Sequence, residues 1–340
     1  MKLSILDQSP IISGHSAAQA IDETLKLARR ADDLGYHRYW LAEHHAIAAL
    51  ADPCPEILLA RLGAETRRIR VGTGGVLLPY YSAFKVAEVF RMLEALYPGR
   101  IDLGIGRAPG GDQRTARAVG GGRYPDAEQF PQQVWELVGH LDGTLPEDHP
   151  FKAVRVQPEG RIASRVAPEV WLLGSSDYSG LLAAQLGLRF SFAHFINAHG
   201  GDAVMRAYRD SYQMSGREPE PHTSVCCFVI CADSDERAER LAKVVDSRRL
   251  DMAYNLDTPV PTQEQAEKRT FNAEERAHIQ AQRSRLVHGS PETCKARLLK
   301  IAGQFSADEL MVLTITGDYA SRLESYELLA RAFDLPSSGS

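Results

Sequence analysis

The chain has 340 residues, a formal net charge of −5 at pH 7, and 44% hydrophobic and 24% charged residues. The apolar fraction is sufficient for a large core, which excludes wholesale disorder. The acidic balance excludes a general nucleic-acid binder, because such proteins carry a basic surface. No segment approaches the roughly eighteen unbroken apolar residues of a membrane span, and the first residues lack the apolar region of a signal peptide. We therefore expect a cytoplasmic protein with no membrane or nucleic-acid partner.

Eight short apolar runs predict β-strands, and amphipathic stretches separate them. Most runs are continuously apolar, as in a parallel sheet covered on both faces. The runs are residues 3–6, 39–42, 69–71, 101–105, 170–173, 190–193, 225–231 and 310–315. This alternation predicts an α/β fold of the (β/α)8 TIM-barrel type, as one domain over residues 1–335 with a frayed tail at 336–340. A doubly wound open sheet would show the same alternation.

Helix ends are marked in three places. Apolar residues recur at three- and four-residue spacing between positions 20 and 34, and Gly35 follows as a stop signal. A similar pattern over 84–96 ends at Pro98-Gly99. Ser290, followed by Pro291 and a glutamate, predicts the start of a late helix.

Three long stretches interrupt the regular alternation of strands and helices. They follow the fourth strand (106–124), precede the fifth strand (142–169) and precede the last helix–strand unit (251–289). We expect a short hairpin over 151–156 and a helix over 273–286. Loops of this length in a compact domain are usually functional covers or disordered segments.

Polar and glycine residues are concentrated directly after the predicted strands. In a TIM barrel the active site lies at the carboxyl ends of the strands. The positions are Asp7, Gln8, Ser9, Glu43, His44, His45, Gly72, Thr73, Gly74, Gly75, Gly106, Arg107, Gly174, Ser175, Ser176 and His194. The predicted strand starts show no similar concentration of reactive side chains, so we predict one site at the carboxyl end.

The segment 174–177 lies between a predicted strand and an amphipathic run at 181–188. Free backbone N–H groups at a helix start, together with serine hydroxyls, can bind an anion. An ordinary helix cap by Ser176 or Asp177 explains the same residues equally well. Arg107 would complete a phosphate clamp, because a guanidinium offers a rigid fork of donors. Without the neighbouring segment 174–177, Arg107 would be interpreted as a surface arginine in a loop.

Glycines near two strand ends have several readings. Gly74 and Gly75 would let a flat ligand approach the backbone, because no Cβ intervenes; a bulge at a barrel corner is the structural alternative. Gly104, Gly106 and Gly110 have the wrong spacing for a dinucleotide-binding loop, and a long loop follows them instead of a helix.

The adjacent histidines His44 and His45 do not predict a metal site. Neighbouring residues of a strand point to opposite faces, and no strong metal-ligand spacing is present. We expect one histidine to face the cavity as an acid, base or hydrogen-bond donor, and the other to support the loop. A purely structural histidine is the alternative for each. The five cysteines include no CxxC pair and are read as reduced thiols.

Four segments resemble the bacterial luciferase-like flavin monooxygenases. They are 40–45 (WLAEHH), 71–79 (VGTGGVLLP), 100–107 (RIDLGIGR) and 288–293 (HGSPET). The segments occur in the family's order from the second strand to the last helix. The chain is most similar to the single-chain oxidoreductases of that family. Light-emitting luciferases have a cysteine where this chain has Gly106, so the resemblance does not extend to bioluminescence.

This resemblance implies an enzyme that uses reduced FMN and O2 to oxygenate a small organic substrate through a C4a-peroxyflavin. A separate NAD(P)H:flavin reductase would supply the reduced FMN. The residue matching His44 would be catalytic, the pair matching Gly74-Gly75 would carry a cis peptide below the flavin ring, and those matching Arg107 and 174–176 would hold the phosphate. The further residues that we assign to the cofactor site are Ser9, Glu43, Thr73, Arg123 and His194.

The resemblance also implies a mobile lid at about 251–289 and a homodimer formed through the second and third helices. Three rival functions stay open at the level of the sequence. A deazaflavin-dependent oxidoreductase on the same barrel would transfer hydride without O2. A flavin-binding protein would bind the cofactor without turnover. A metal-dependent hydrolase on the same barrel is a more distant alternative.

Overall fold

The computed structural model of the protein describes residues 1–107, 112–159 and 168–337. These residues form nine β-strands and twelve α-helices. The strands are β1 (Lys2–Asp7), β2 (Arg38–Leu41), β3 (Arg70–Leu77), β4 (Ile101–Gly106), β5 (Glu169–Gly174), β6 (Arg189–Ala193), β7 (Thr223–Cys231), β8 (Leu286–Gly289) and β9 (Glu309–Leu313). The helices are α1 (Ala17–Leu34), α2 (Pro55–Glu65), α3 (Ala83–Leu96), α4 (Gln113–Val119), α5 (Phe130–Asp142), α6 (Asp177–Gln185), α7 (Gly201–Asp210), α8 (Asp235–Ala253), α9 (Gln263–Lys268), α10 (Ala273–Gln282), α11 (Pro291–Phe305) and α12 (Tyr319–Ala332).

Eight of the strands close into a parallel barrel. Strands β1 to β7 are neighbours in chain order, and β9 closes the barrel between β7 and β1. Closure confirms the (β/α)8 barrel and excludes the open sheet. All eight predicted strands are present, and β3 is longer than predicted because it continues through the glycine-rich segment to Leu77. Within the described ranges, no helix is long and apolar enough to cross a membrane.

The sequence analysis missed the short strand β8. It pairs with the last part of β7, residues 228–231, whereas β9 pairs with the earlier part, residues 224–228. The four residues of β8 lie in the stretch 251–289 that we predicted to be a lid. This stretch also contains α9 and α10, and α10 ends at Gln282, earlier than predicted. The mobility that the resemblance implies for it stays a prediction.

The predicted hairpin over 151–156 is wrong. Residues 151–153 form a turn and 154–156 are not in a strand. The backbone hydrogen bonds are local, from Lys152 N–H to His149 O and from Val154 N–H to Phe151 O, so no second strand is paired. Parts of two insertions (108–111 and 160–167) lie outside the described residues.

The predicted helix boundaries are confirmed. Gly35 ends α1 with a φ of 84°, and the Ser290 side chain accepts the N–H of Thr293 at the start of α11. A Cβ added at Gly35 would lie 2.4 Å from the carbonyl oxygen of Pro336. The backbone of residue 336 therefore lies close to Gly35, although the residue is exposed; residues 338–340 lie outside the described residues, and the frayed tail stays a prediction.

A network of buried charges fills the amino-terminal end of the barrel. The Arg38 guanidinium lies 2.8 Å from the carboxylates of Asp102 and Glu169 and 3.0 Å from that of Glu309. Burial would raise the pKa of Asp102, but the charges of Arg38 and Arg70 outweigh it and lower that pKa. Polar groups therefore occupy one end of the barrel interior, and a cavity occupies the other.

Candidate active site

A cavity of about 290 Å³ opens at the carboxyl end of the barrel. Of the twelve residues assigned a catalytic or cofactor-binding role, eight line it: Glu43, His44, Gly74, Gly75, Arg107, Gly174, Ser175 and Ser176. They follow or belong to β2, β3, β4 and β5, so barrel closure brings together residues that are more than 130 positions apart in the sequence. The structure thus brings these eight residues together around one cavity at the carboxyl end of the barrel, and their role as a functional site stays a prediction.

Four predicted site residues are absent from the cavity wall. Ser9 is buried, and its hydroxyl accepts a hydrogen bond of 3.0 Å from Thr24. The Thr73 hydroxyl donates to the carbonyl of Gly104 at 2.9 Å. Of the other two, Arg123 is exposed, and His194 is buried with its ring 5.7 Å from that of Phe305. These side chains have other contacts, and the structure does not bring them to the cavity.

His44 faces the cavity as a neutral imidazole. It follows β2 in a loop, and its backbone N–H donates to the carbonyl of Asp52 at 3.0 Å. Its Nδ1 is buried and has no hydrogen-bond partner among the described residues. Burial lowers the pKa of His44 to about 4, and the charge of Arg248 acts in the same direction. At neutral pH the ring can therefore give or take a proton in the cavity without carrying a resident charge.

His45 turns away from the cavity and supports the loop. Its Nε2 lies 2.7 Å from Oε1 of Glu43, which also accepts a hydrogen bond of 2.6 Å from the Tyr81 hydroxyl. The other oxygen of Glu43 accepts the N–H of Leu77 at 2.9 Å. Glu43 therefore ties the loop after β2 to the end of β3. The expected division of roles between the two histidines is present in this geometry.

Asp52 lies behind this loop as a poorly compensated carboxylate. Its Oδ1 accepts the N–H of Cys54 at 3.0 Å, whereas Oδ2 is buried without a partner in the described ranges. Burial raises the pKa of Asp52 to about 7, and the neighbouring carboxylates of Asp7, Glu56 and Glu43 add to the shift. The loop that carries His44 is thus held over a group that is partly protonated near neutral pH.

Gly74 and Gly75 line the cavity in the middle of β3. The peptide bond between them is cis, as the resemblance implied. The pairing register with β4 shifts between Thr73 and Val76, so the bulge expected as the structural alternative is also present. A Cβ would lie 2.5 Å from Cδ1 of Leu6 at position 74, and 2.7 Å from the carbonyl oxygen of residue 104 at position 75. The backbone contact requires glycine at position 75, whereas a side chain at position 74 would have to displace the end of Leu6.

A set of anion-binding donors lies at the start of α6. Ser176 occupies the N-cap position, but its side chain makes no capping hydrogen bond, so its hydroxyl is available. Ser175 precedes it on the cavity wall. Arg107 lies beside the helix start, with its guanidinium carbon 4.3 Å from the ring centroid of Tyr178. A cation, two hydroxyls and the free helix amides are suited to a phosphate group.

The inner wall of the cavity is apolar and rich in sulfur, which the sequence analysis did not predict. The wall residues not assigned to the site beforehand include Leu6, Trp40, Leu77, Leu173, Phe195, Ile196, Cys226 and Met311. Burial keeps Cys226 a neutral thiol by raising its pKa. No cluster of three or more potential metal ligands is found among residues 1–107, 112–159 and 168–337. The cavity thus combines hydrogen-bond donors and a cation on one side with an apolar interior.

The chain also matches a known family. The family model described as luciferase-like monooxygenase matches residues 1–307. The chain belongs to this family. The resemblance of the four sequence segments is therefore confirmed, and the protein is a luciferase-like monooxygenase on a (β/α)8 barrel.

Several relatives of this luciferase-like monooxygenase match it over nearly their full length. The uncharacterized protein YwcH of Bacillus subtilis (strain 168) is 44% identical over 98% of this chain and 99% of its own. The N-acetyl-S-alkylcysteine monooxygenase of the same organism is 37% identical over 98% of both chains. Among solved structures, apo-MsnO8 is 37% identical, with a TM-score of 0.87 over 99% of both chains.

Two more distant solved structures share the fold alone. The oxygenating constituent of 3,6-diketocamphane monooxygenase from Pseudomonas putida, in complex with FMN, is 18% identical with a TM-score of 0.72 over 98% of both chains. An F420-dependent secondary alcohol dehydrogenase is 13% identical, with a TM-score of 0.65 over 97% of this chain and 98% of its own. The same barrel therefore occurs with two different flavin-type cofactors.

Proposed function

We propose that this luciferase-like monooxygenase uses reduced FMN and O2 to oxygenate a small organic substrate. The observation that carries the proposal is the arrangement of one cavity. Arg107, Ser175 and Ser176 offer donors for a phosphate at one side, and His44 presents a neutral imidazole after β2. Because the Ser176 side chain makes no capping bond and lines the same cavity as Ser175 and Arg107, the residues present fit a phosphate-bearing flavin.

The residues of the chain have separate tasks in this proposal. When bound, the reduced flavin supplies the electrons that activate O2. Arg107 and the two serines bind the phosphate and fix the position of the cofactor in the cavity. The apolar wall, with Trp40 and Met311, excludes water from the reacting groups. His44 donates or accepts a proton at the ring nitrogen that faces the cavity.

The similarity to the N-acetyl-S-alkylcysteine monooxygenase makes thioethers the first substrates to test. The decisive experiment measures O2 uptake by the purified protein with reduced FMN, with and without a panel of thioethers and ketones. We expect substrate-dependent uptake coupled to an oxygenated product. Product formed with reduced F420 in the absence of O2 would favour hydride transfer. Tight flavin binding without any turnover across the panel would favour a flavin-binding protein.

Two partners complete the proposal. The reduced FMN would come from a separate NAD(P)H:flavin reductase. A second copy of the chain would pack on α2 and α3, where Ile57, Met92 and Leu96 are at least half exposed. Sedimentation analysis of the native protein and of Leu96→Glu tests the dimer. We expect a dimer that the charge dissociates, and a native monomer would refute this interface.

A further inference from the structure

One guanidinium in the second half of α8 has no hydrogen-bond or ion-pair partner among the described residues. Arg248 lies in the second half of α8 and is half-buried. It makes no hydrogen bond and no ion pair with any residue in the described part of the chain. Its neighbour on the same helix, Arg249, donates to the carbonyl of Gln282 at 2.7 Å. A half-buried charge without a counter-charge costs free energy, so it favours a ligand that supplies one.

The packing of α8 places Arg248 near the cavity. Val244, one helical turn earlier on the same face, packs in one cluster with Trp40 and Met311, which line the cavity. The segment after α8 is bound to the loop that follows β2. There the Asp257 carboxylate accepts the N–H of Ala48 at 2.7 Å. The second half of α8 therefore lies over the carboxyl end of the barrel, beside the loop of His44.

The charges around Arg248 leave it without a counter-ion. The nearby carboxylates are those of Asp251 and Asp257, and the nearby histidine is His44. Asp251 already pairs with Arg269 at 2.7 Å, and Asp257 binds the backbone at residue 48. Burial lowers the pKa of Arg248, and the two carboxylates only oppose this effect from a distance. A guanidinium nevertheless stays charged in a protein, so the mouth carries an uncompensated positive charge.

This charge is separate from the phosphate-binding donors. His44 follows β2, whereas Arg107 follows β4 and Ser175 follows β5. In an eight-strand barrel, β2 and β5 are three strands apart, on different sides of the mouth. The charge of Arg248 acts on His44, so in the proposed arrangement a phosphate bound at Arg107 and Ser175 leaves Arg248 for a second anionic group.

We propose that Arg248 binds a carboxylate of the substrate, whose apolar part extends past His44 into the cavity. The inference rests on the proposed function, because that function is what makes the bound ligand the substrate. The apolar wall formed by Leu6, Trp40, Cys226 and Met311 suits the uncharged part of such a molecule. Arg248 does not line the cavity, so the proposal has the carboxylate bound outside it and the reacting end of the molecule inside it. The class of substrate is thus an amphipathic carboxylic acid.

The test measures ligand binding rather than turnover. Straight-chain carboxylates from butanoate to decanoate and their primary amides are titrated calorimetrically into the protein, in phosphate buffer that fills the other anion site. We expect at least one carboxylate to bind about tenfold or more tightly than its amide, because an ionised acceptor strengthens the hydrogen bonds of a guanidinium. Arg248→Gln should remove this preference, and Arg248→Lys should retain part of it. Arg240→Gln, at an exposed position of the same helix, is the matched control and should keep it.

Three outcomes would overturn the inference: no carboxylate preference in the native protein, a preference that persists in Arg248→Gln, or one that is lost instead in Arg107→Gln. Circular dichroism and the melting temperature of each variant show that it is folded. FMN titrations run in parallel separate the two proposals. If Arg248→Gln binds FMN like the native protein but loses the carboxylate preference, the inference is supported. If no variant binds FMN but the preference depends on Arg248, the proposed function alone fails.

Discussion

Trp40 and Asp102 are joined by a hydrogen bond of 2.9 Å between the indole Nε1 and the carboxylate Oδ2. Trp40 lines the cavity, whereas Asp102 belongs to the buried charge network at the other end of the barrel. The same carboxylate accepts hydrogen bonds from Arg38 at 2.8 Å and from Arg70 at 2.6 Å. The bond therefore links the wall of the cavity to the buried network in which Arg38 and Arg70 neutralise the charge of Asp102.

We expect Asp102→Asn to destabilise the fold strongly. The substitution leaves the buried Arg38 with one carboxylate fewer, and breaking a buried ion pair typically costs about 3–5 kcal/mol. Urea denaturation at pH 7 measures the loss. Glu65→Gln is the control: it breaks exposed pairs with Arg29 and Arg61, and we expect a change below about 1 kcal/mol. Equal stability of the two variants would show that the network does not stabilise the barrel.

We expect the stability to fall as the pH is lowered through the range of histidine titration. Burial, and then the charges of Arg38 and Lys2, lower the pKa of His37 to about 4 in the folded protein. The unfolded value is about 6.5, so between these values only the unfolded chain binds the proton readily. The stabilisation is complete above about pH 6.5 and is lost as the pH falls toward 4.

The measurement compares free energies of unfolding at pH 7 and pH 5. His37→Gln should lose less stability over this interval than the native protein, by on the order of 1–2 kcal/mol. Burial also lowers the pKa values of His44 and His222 to about 4. We expect these two histidines to account for the rest of the loss of stability between pH 7 and pH 5. His199→Gln, at an exposed position, should leave the slope unchanged. An unchanged slope in His37→Gln would contradict the assignment.

The sequence was sufficient to predict the barrel and the end at which its polar strand-end residues meet around a cavity. Parallel barrel topology brings all strand ends together, so residues such as His44, Arg107 and Ser176 could be assigned to one site without coordinates. The directions of individual side chains could not be predicted. Ser9 and Thr73 also lie near strand ends, but local hydrogen-bond partners hold them away from the cavity.

Tertiary packing explains the remaining differences. Strand β7 is apolar from Val225 onward, so its sequence does not reveal that Cys226 faces the cavity while Val225 and Cys227 belong to the main core cluster. Strand β8 has only four residues and lies within a polar stretch, so the sequence did not predict a strand there. The sequence does not single out Arg248, because the role proposed for this residue depends on how α8 lies over the barrel. No local pattern encodes that position.

We expect Arg107→Ala to weaken FMN binding while leaving riboflavin binding nearly unchanged. Riboflavin lacks the phosphate, so the ratio of the two dissociation constants isolates the contribution of the anion site. Losing a charged donor should reduce the FMN preference by about tenfold or more. Arg117 lies in α4 and is exposed. Arg117→Ala is therefore a control that should keep the ratio of the FMN and riboflavin dissociation constants. A preserved ratio in Arg107→Ala would place the phosphate elsewhere.

We expect His44→Ala to separate cofactor binding from coupled oxygenation. The side chain is remote in sequence and strand position from the phosphate donors, so the affinity for FMN should change by no more than a few fold. Loss of a positioned proton donor or acceptor should lower coupled product formation by about a hundredfold or more. The same loss should increase the fraction of consumed O2 that is released as hydrogen peroxide.

His45→Ala is the matched control for this prediction, because His45 is bound to Glu43 and turned away from the cavity. It should lower the melting temperature through the loss of a loop contact, but it should leave the ratio of product to peroxide close to that of the native enzyme. The ratio is independent of the amount of folded protein, so it distinguishes a chemical role from a structural one. If His44→Ala retained the native ratio, or if both variants changed it equally, the neutral imidazole in the cavity would have no part in directing oxygen to the substrate.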